Sequence, residues 1–325
     1  MSKPDILQIG PYPPQDEAAL ADRFTVHRLF EAADPAGFVR DHADRIRAIA
    51  TRGELGAGRA LIDALPRLEI IAVYGVGYDA VDLEEAAARG IAVTNTPDVL
   101  TEDVADFGIA MMLAALRGIV AGDAWVRAGD WATRGPRPLG ARVRGRTAGI
   151  LGLGRIGTAV AHRCAAFGMA VAYCDPVQGE GPAAWTGLPD PVALATRADV
   201  LVLTLTGGAT TRGLVDAAVL RALGPSGLLV NIARASIVDE AALLDALETG
   251  ALGAAALDVF EGEPAVNPRF QALPNVLLQP HQASGTVETR AAMGRLVLDN
   301  LTAHFEGRPL PSPVIPLVSG KEPPS

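Results

Sequence analysis

The chain is poor in cysteine, in clustered positive charge and in long apolar runs. Its 2 cysteines, Cys164 and Cys174, are too few for a disulfide framework or a thiolate metal site, and they fit a reducing cytoplasm. No metal is expected. The net charge of -9 has no compensating Lys/Arg block, so phosphate-backbone binding would lack its main driving force and no nucleic-acid partner is expected. The longest uncharged apolar stretch, "FGIAMMLAAL", falls well short of the roughly 20 residues that cross a bilayer. The opening "MSKPDILQIG" places Pro4 and Asp5 where a secretory peptide needs an unbroken apolar segment, so neither a membrane span nor a signal peptide is expected. Internal repeats and long low-complexity tracts are also missing.

What is present is a chain able to bury large cores, with 49% hydrophobic and 20% charged residues. Its 325 residues exceed one comfortable core and predict about two domains. Short aliphatic runs alternate with alanine-rich stretches of helical period, the rhythm of βαβ units and parallel sheets. "DILQIG", "FTVHRL", "IRAIAT", "LEIIAVY" and "IAVTN" form a first series. A long helix is predicted over "TEDVADFGIAMMLAALRGIVAG", with Thr101 as N-cap and acids in its first turn. After the Arg- and Pro-rich connection "RAGDWATRGPRPLGARVRGR" come six predicted strands: "TAGILG", "AVAYCD", "VLVLTL", "GLLVNIA", "AALDVF" and "NVLLQP". A last helix is predicted from about Thr286 to Phe305. The fold class is therefore α/β: two doubly wound parallel-sheet domains, Rossmann- or flavodoxin-like, with a cleft between them.

The second series opens on G-x-G-x-x-G, as Gly152, Gly154 and Gly157 in "LGLGRIG". In a chain with 35 glycines the spacing alone is weak, but a strand leads in, a helix leads out, and an acid closes the next strand. The first glycine permits the tight turn, the second admits a pyrophosphate to the backbone, and the third allows close helix packing. N–H groups around Arg155 and Ile156 would face the anion. Asp175 follows about 20 residues on, where a carboxylate accepts the adenosine ribose hydroxyls. The uncharged Pro176, Val177 and Gln178 beside it favour NAD over NADP, which remains the second choice.

Three ionisable residues follow the later strands: Arg234 after "GLLVNIA", Glu263 after "AALDVF", and His281 after "NVLLQP". In a parallel sheet these strand ends share the edge that binds the dinucleotide. An arginine that binds and polarises an α-keto acid, a protonated imidazole, and a carboxylate that orients it are what hydride transfer to a ketone requires. Taken singly, each residue also fits a turn or cap; their shared edge is what favours the catalytic reading.

At this point the sequence resembles the D-isomer-specific 2-hydroxyacid dehydrogenase family over nearly its whole length. "LGLGRIG", "NIARASIVDE", "ALDVFEGEP" and "LLQPHQASGTVETR" match its signature segments in order. The resemblance implies a split substrate domain, residues 1–100 plus 287–325, flanking an inserted NAD domain at 101–286. It carries the catalytic roles onto Arg234, Glu263 and His281. It implies that the loop "YGVGYDAVD" holds the substrate carboxylate on the N–H groups of Val76 and Gly77, helped by Arg52, with Arg290 near the substrate. It also implies that Asp258 meets the nicotinamide carboxamide, and that Thr206, Ile232, Ala233 and Ala283 line the cofactor.

Within the family, "TEDVADFGIAMMLAALR" and "GTVETR" are most similar to the glyoxylate, hydroxypyruvate and hydroxyphenylpyruvate reductases, many of which favour NADP. Trp131 falls where relatives form a dimer arm, and the long connecting segment predicts a homodimer; a small 2-keto acid as substrate and a cytoplasmic location are expected as well. Two features depart from the family pattern: Ala235 replaces a glycine after the arginine, and "GGAT", Gly207 to Thr210, replaces Leu-Thr-Pro-Glu and predicts a looser loop. The alternative from another class is a cofactor-sensing, corepressor-like protein without turnover. A formate-type dehydrogenase would carry glutamine in place of Glu263.

Overall fold

The computed structural model describes residues 3–175 and 181–314. The chain divides into two compact units, Met1–Leu100 with Thr286–Ser325, and Thr101–Gly285.

The first unit holds β1 (Asp5–Gln8), β2 (Thr25–Arg28), β3 (Ile46–Arg52), β4 (Ile70–Tyr74) and β5 (Ala92–Thr94). All pairings are parallel, in the order β2-β1-β3-β4-β5, a doubly wound order whose reversal lies between β1 and β3. β4, "IIAVY", is buried at every position, which is why it reads as an unbroken apolar run rather than an alternating one. Leu7, Ile49, Ile71 and Val73 join Ile62 and Leu65 in one core, each contributing about 1.5–3 kcal/mol by burial. The helix Val287–Phe305, N-capped by Thr286 on the N–H of Thr289, packs on β4.

The second unit holds β6 (Thr147–Leu151), β7 (Ala170–Cys174), β8 (Thr186–Gly187), β9 (Val200–Leu203), β10 (Leu228–Asn231), β11 (Ala254–Leu257) and β12 (Val276–Leu278). Its all-parallel order is β12-β11-β10-β9-β6-β7-β8, with the switch point between β6 and β9. The helices Pro191–Arg197, Ala217–Leu223 and Glu240–Thr249 supply Leu194, Leu220 and Leu244 to a core with Leu151, Leu203 and Leu229.

Two expectations are corrected. A seventh strand, β8, joins the six of the second series; at two residues it is too short to carry a periodic signal. The long helix is two, Thr101–Arg117 and Ile119–Arg127, bent by 59°, because Gly118 adopts a left-handed φ of 61° that ends an α-helix. No single helix among the described residues is long and apolar enough to cross a membrane; this bent pair meets that criterion only jointly.

Candidate active site

The glycine turn leaves β6 at Gly152, whose φ of 97° is open to glycine and strained for other residues. A Cβ on Gly157 would run into the Gly152 carbonyl oxygen, whereas the same position on Gly154 faces open space. One glycine thus serves packing and the other leaves backbone accessible. Thr204, just after β9, donates to the Gly152 carbonyl at 2.5 Å, and Thr158 donates to that of Leu153 at 3.1 Å. A trans peptide points its N–H opposite its carbonyl, so these bonds fix which way the turn's N–H groups face. The helix Arg155–Ala166 starts at Gly154 without a side-chain cap, which presents its amino-terminal dipole to an anion. Arg155 is exposed and Ile156 half-buried.

Asp175, at the end of β7, accepts the Leu153 N–H at 2.6 Å, which seats its carboxylate against the turn. The neighbouring Pro176, Val177 and Gln178 lie outside the described residues. After β9, the carbonyl of the exposed Thr206 accepts the Thr211 hydroxyl at 2.8 Å. The Gly208 carbonyl accepts the N–H groups of Thr211 and Arg212, so the "GGAT" loop is closed by hydrogen bonds of its own. Together the open glycine, the uncapped helix and the adjacent carboxylate fit a dinucleotide.

Arg234, Glu263 and His281 follow the carboxyl ends of the adjacent strands β10, β11 and β12. Asn231, the last residue of β10, is buried; its amide accepts the Ala233 N–H at 3.0 Å and donates to the Arg234 carbonyl at 3.0 Å. That clamp makes the turn on which Arg234 is carried, with Ile232 and Ala233 buried inside it. Ala235 opens a short 3₁₀ turn over Ala235–Ile237.

His281 Nδ1 lies 2.6 Å from Glu263 Oε1. The carboxylate can only accept, so Nδ1 carries the hydrogen and Nε2 is left to exchange a proton. Burial alone would raise the Glu263 carboxyl. The hydrogen bond and charge of His281, the Phe260 N–H and the charge of Arg234 outweigh burial and hold it below the usual glutamate range.

His281 has a left-handed φ of 54°, uncommon for a residue with a Cβ. Asp258 sustains it. The Asp258 carbonyl accepts the His281 N–H at 2.8 Å, and its two carboxylate oxygens accept Gln282 N–H at 2.7 Å and Ala283 N–H at 2.9 Å. Burial pushes the Asp258 carboxyl up, against the pull of those two N–H groups. The nicotinamide carboxamide contact expected of Asp258 would therefore be made by an acid already engaged with the His281 loop.

In the first unit, Arg52 ends β3 beside Tyr74 in register and pairs with Glu54 at 2.6 Å. The Arg290 carbonyl accepts the Tyr74 hydroxyl at 2.8 Å. Burial pushes the Tyr74 phenol up to about 12, against the charges of Arg290 and Arg52. Val76 and Gly77 follow β4, Val76 half-buried and Gly77 buried. Among the described residues, no His, Cys, Asp and Glu side chains group so as to hold a metal ion. Cys164 is buried, and burial raises its thiol to about 12.

Residues 109–283 match the model of the D-isomer specific 2-hydroxyacid dehydrogenase NAD binding domain. The chain is 47% identical over 315 residues to a 2-ketogluconate reductase of Gluconobacter oxydans, covering 97% of this chain and 99% of that one. The chain belongs to the D-isomer-specific 2-hydroxyacid dehydrogenase family. A 2-hydroxyacid dehydrogenase from Ketogulonicigenium vulgare superposes with a TM-score of 0.89 at 61% identity, over 97% of this chain and 99% of its own. An NADPH-dependent glyoxylate/hydroxypyruvate reductase from Sinorhizobium meliloti, solved with NADP and malonate, gives 0.90 at 46%, over 96% and 97%.

This dehydrogenase is thus an NAD(P)-dependent oxidoreductase. The relatives named are all oxidoreductases, which leaves the cofactor-sensing alternative without support. Sequence reasoning missed Asn231, Thr204 and the clamp made by Asp258. Each is a polar residue at or directly after the end of an aliphatic parallel strand, a position visible in the sequence, whereas the backbone group it bonds is set by the fold.

Proposed function

We propose that this dehydrogenase reduces a small 2-keto acid such as glyoxylate or hydroxypyruvate to the D-2-hydroxy acid. The observation that carries the reading is the His281–Glu263 pair at 2.6 Å, with the charge of Arg234 acting on the same carboxylate. When bound, the nicotinamide coenzyme supplies the hydride. Arg234 polarises the carbonyl and binds the carboxylate, and His281 Nε2 gives its proton to the developing alkoxide while Glu263 balances the imidazolium charge. From the first unit, the N–H groups of Val76 and Gly77 would take the substrate carboxylate, with Arg52 and Arg290 as auxiliary cations. Each turnover toward hydroxy acid consumes one proton, so the equilibrium shifts about tenfold toward keto acid per unit rise in pH.

Asp175 supports NADH as the preferred coenzyme, with NADPH second. A cytoplasmic homodimer is the assembly this reading favours, given two free, buried cysteines and exposed apolar residues between Ile119 and Leu139. The test is initial-rate measurement with glyoxylate, hydroxypyruvate, phenylpyruvate and 2-ketogluconate, each against NADH and NADPH. His281→Asn should lower turnover of the best substrate by about 10²–10⁴-fold. Undiminished reduction in that variant overturns the assignment.

A further inference from the structure

In the first unit, the start of the loop after β4 is hydrogen-bonded to the residues that follow β5. The Thr96 N–H donates to the Gly75 carbonyl at 2.9 Å, and the Asn95 side-chain Nδ2 donates to the Val76 carbonyl at 2.9 Å. The Gly75 N–H in turn donates to the Thr96 hydroxyl at 3.1 Å. Because a trans peptide sets its N–H antiparallel to its carbonyl, anchoring the Gly75 carbonyl aims the Val76 N–H away from Thr96. Anchoring the Val76 carbonyl likewise aims the Gly77 N–H away from Asn95. Two consecutive N–H groups held in this way make an anion-binding concavity.

Asn95 is itself held rigidly. Its carbonyl accepts the Ser312 hydroxyl at 2.7 Å, and its N–H donates to the Ser312 carbonyl at 3.4 Å. Ser312 is fixed by Asn300, which donates to its hydroxyl at 2.8 Å and accepts its N–H at 3.1 Å. Asn95, Thr96, Asn300 and Ser312 are all buried, and a satisfied polar network in such surroundings is rigid and its bonds reinforce one another. A carbonyl that accepts a bond from Asn95 also polarises the N–H of its own peptide unit, which strengthens Gly77 as a donor.

We propose that Asn95 is a positioning residue for substrate recognition: by pinning the Val76 carbonyl it presents the Gly77 N–H to the substrate carboxylate, with Asn300 and Ser312 holding Asn95 in place. The inference rests on the reading of Val76 and Gly77 as the carboxylate site. Asn95 acts through the Val76 peptide it bonds, which distinguishes it from a residue whose loss merely loosens the unit.

The test compares the best keto acid of the substrate panel with its uncharged methyl ester. Asn95→Asp keeps the size of the side chain but sets an acceptor against the Val76 carbonyl. It should lower kcat/KM for the acid by about ten- to hundredfold, the worth of a hydrogen bond to a charged group. The loss for the ester should be under about threefold, and KM for NADH should be unchanged. Ser312→Ala, which keeps Asn95 but removes one of its anchors, should shift the acid-to-ester ratio in the same direction by a smaller factor, and it carries the test if Asn95→Asp does not fold. Equal losses for acid and ester, or no loss in either variant, overturn the role of Asn95. A wild-type enzyme that does not prefer the acid to the ester overturns the carboxylate reading itself, and is seen before any variant is made.

Discussion

Glu263 is a carboxylate kept ionised against partial burial. The hydrogen bond and charge of His281, aided by the Phe260 N–H and the charge of Arg234, hold its carboxyl below the usual glutamate range. A carboxyl lowered in the folded state adds stability at pH values above the unfolded glutamate value, about 4.3, and loses that increment as pH falls through the lowered folded value. The urea midpoint of the wild type should therefore fall more steeply between about pH 5 and pH 3 than that of Glu263→Gln, which has no charge to lose. Parallel curves would show that the pair contributes nothing to stability. At neutral pH the same variant keeps a hydrogen-bond acceptor for Nδ1 but no longer balances an imidazolium. Turnover should drop by about ten- to hundredfold while KM for the coenzyme stays level.

At the scale of elements, the carboxyl ends of three adjacent strands in the second unit are finished by a side chain that bonds backbone: Thr204 after β9, Asn231 at the end of β10, Asp258 after β11. Asp258 is the sharpest case, because both its oxygens accept N–H groups from the loop that carries His281. In Asp258→Asn one of those N–H groups would meet an amide donor. The substitution should cost about 1–3 kcal/mol in chemical denaturation and lower turnover through a displaced His281; an unchanged denaturation midpoint would refute the clamp. The strands themselves were legible in the sequence because buried parallel strands read as aliphatic runs between glycine turns, "VLVL" and "LLVN" among them. The placement of His281, Glu263 and Arg234 at one sheet edge could be read for the same reason. Asn231, Asn95 and the clamp of Asp258 could not, since they act by bonding backbone that only the fold brings near. Nor could the break at Gly118, where a glycine within an apolar helical pattern does not announce a left-handed φ.

At the scale of the whole molecule, the helices Ile119–Arg127 and Asp130–Arg134 contain no buried residue, so neither belongs to the core of its unit. Of the ten large hydrophobic residues exposed among the described residues, five lie in these helices and the loop that follows them: Ile119, Val120, Val126, Trp131 at 64% and Leu139 at 99%. Scattered apolar residues on a surface need no explanation, but half of them within one short segment is the pattern a protein-binding surface has. A second copy of this chain is the partner that a homodimeric reading assigns to it. Such an interface is self-complementary and typically buries about 1,200–2,000 Å² in total. Charged residues placed there would face their own copies across the two-fold axis, where repulsion and desolvation act together. The double variant Trp131→Glu with Leu139→Asp should accordingly sediment as a monomer at micromolar concentration while the wild type sediments as a dimer. Because neither side chain is buried in the unit, far-UV circular dichroism should be unchanged. A wild type that is monomeric under the same conditions, or a double variant that still dimerises, would remove this segment as the interface.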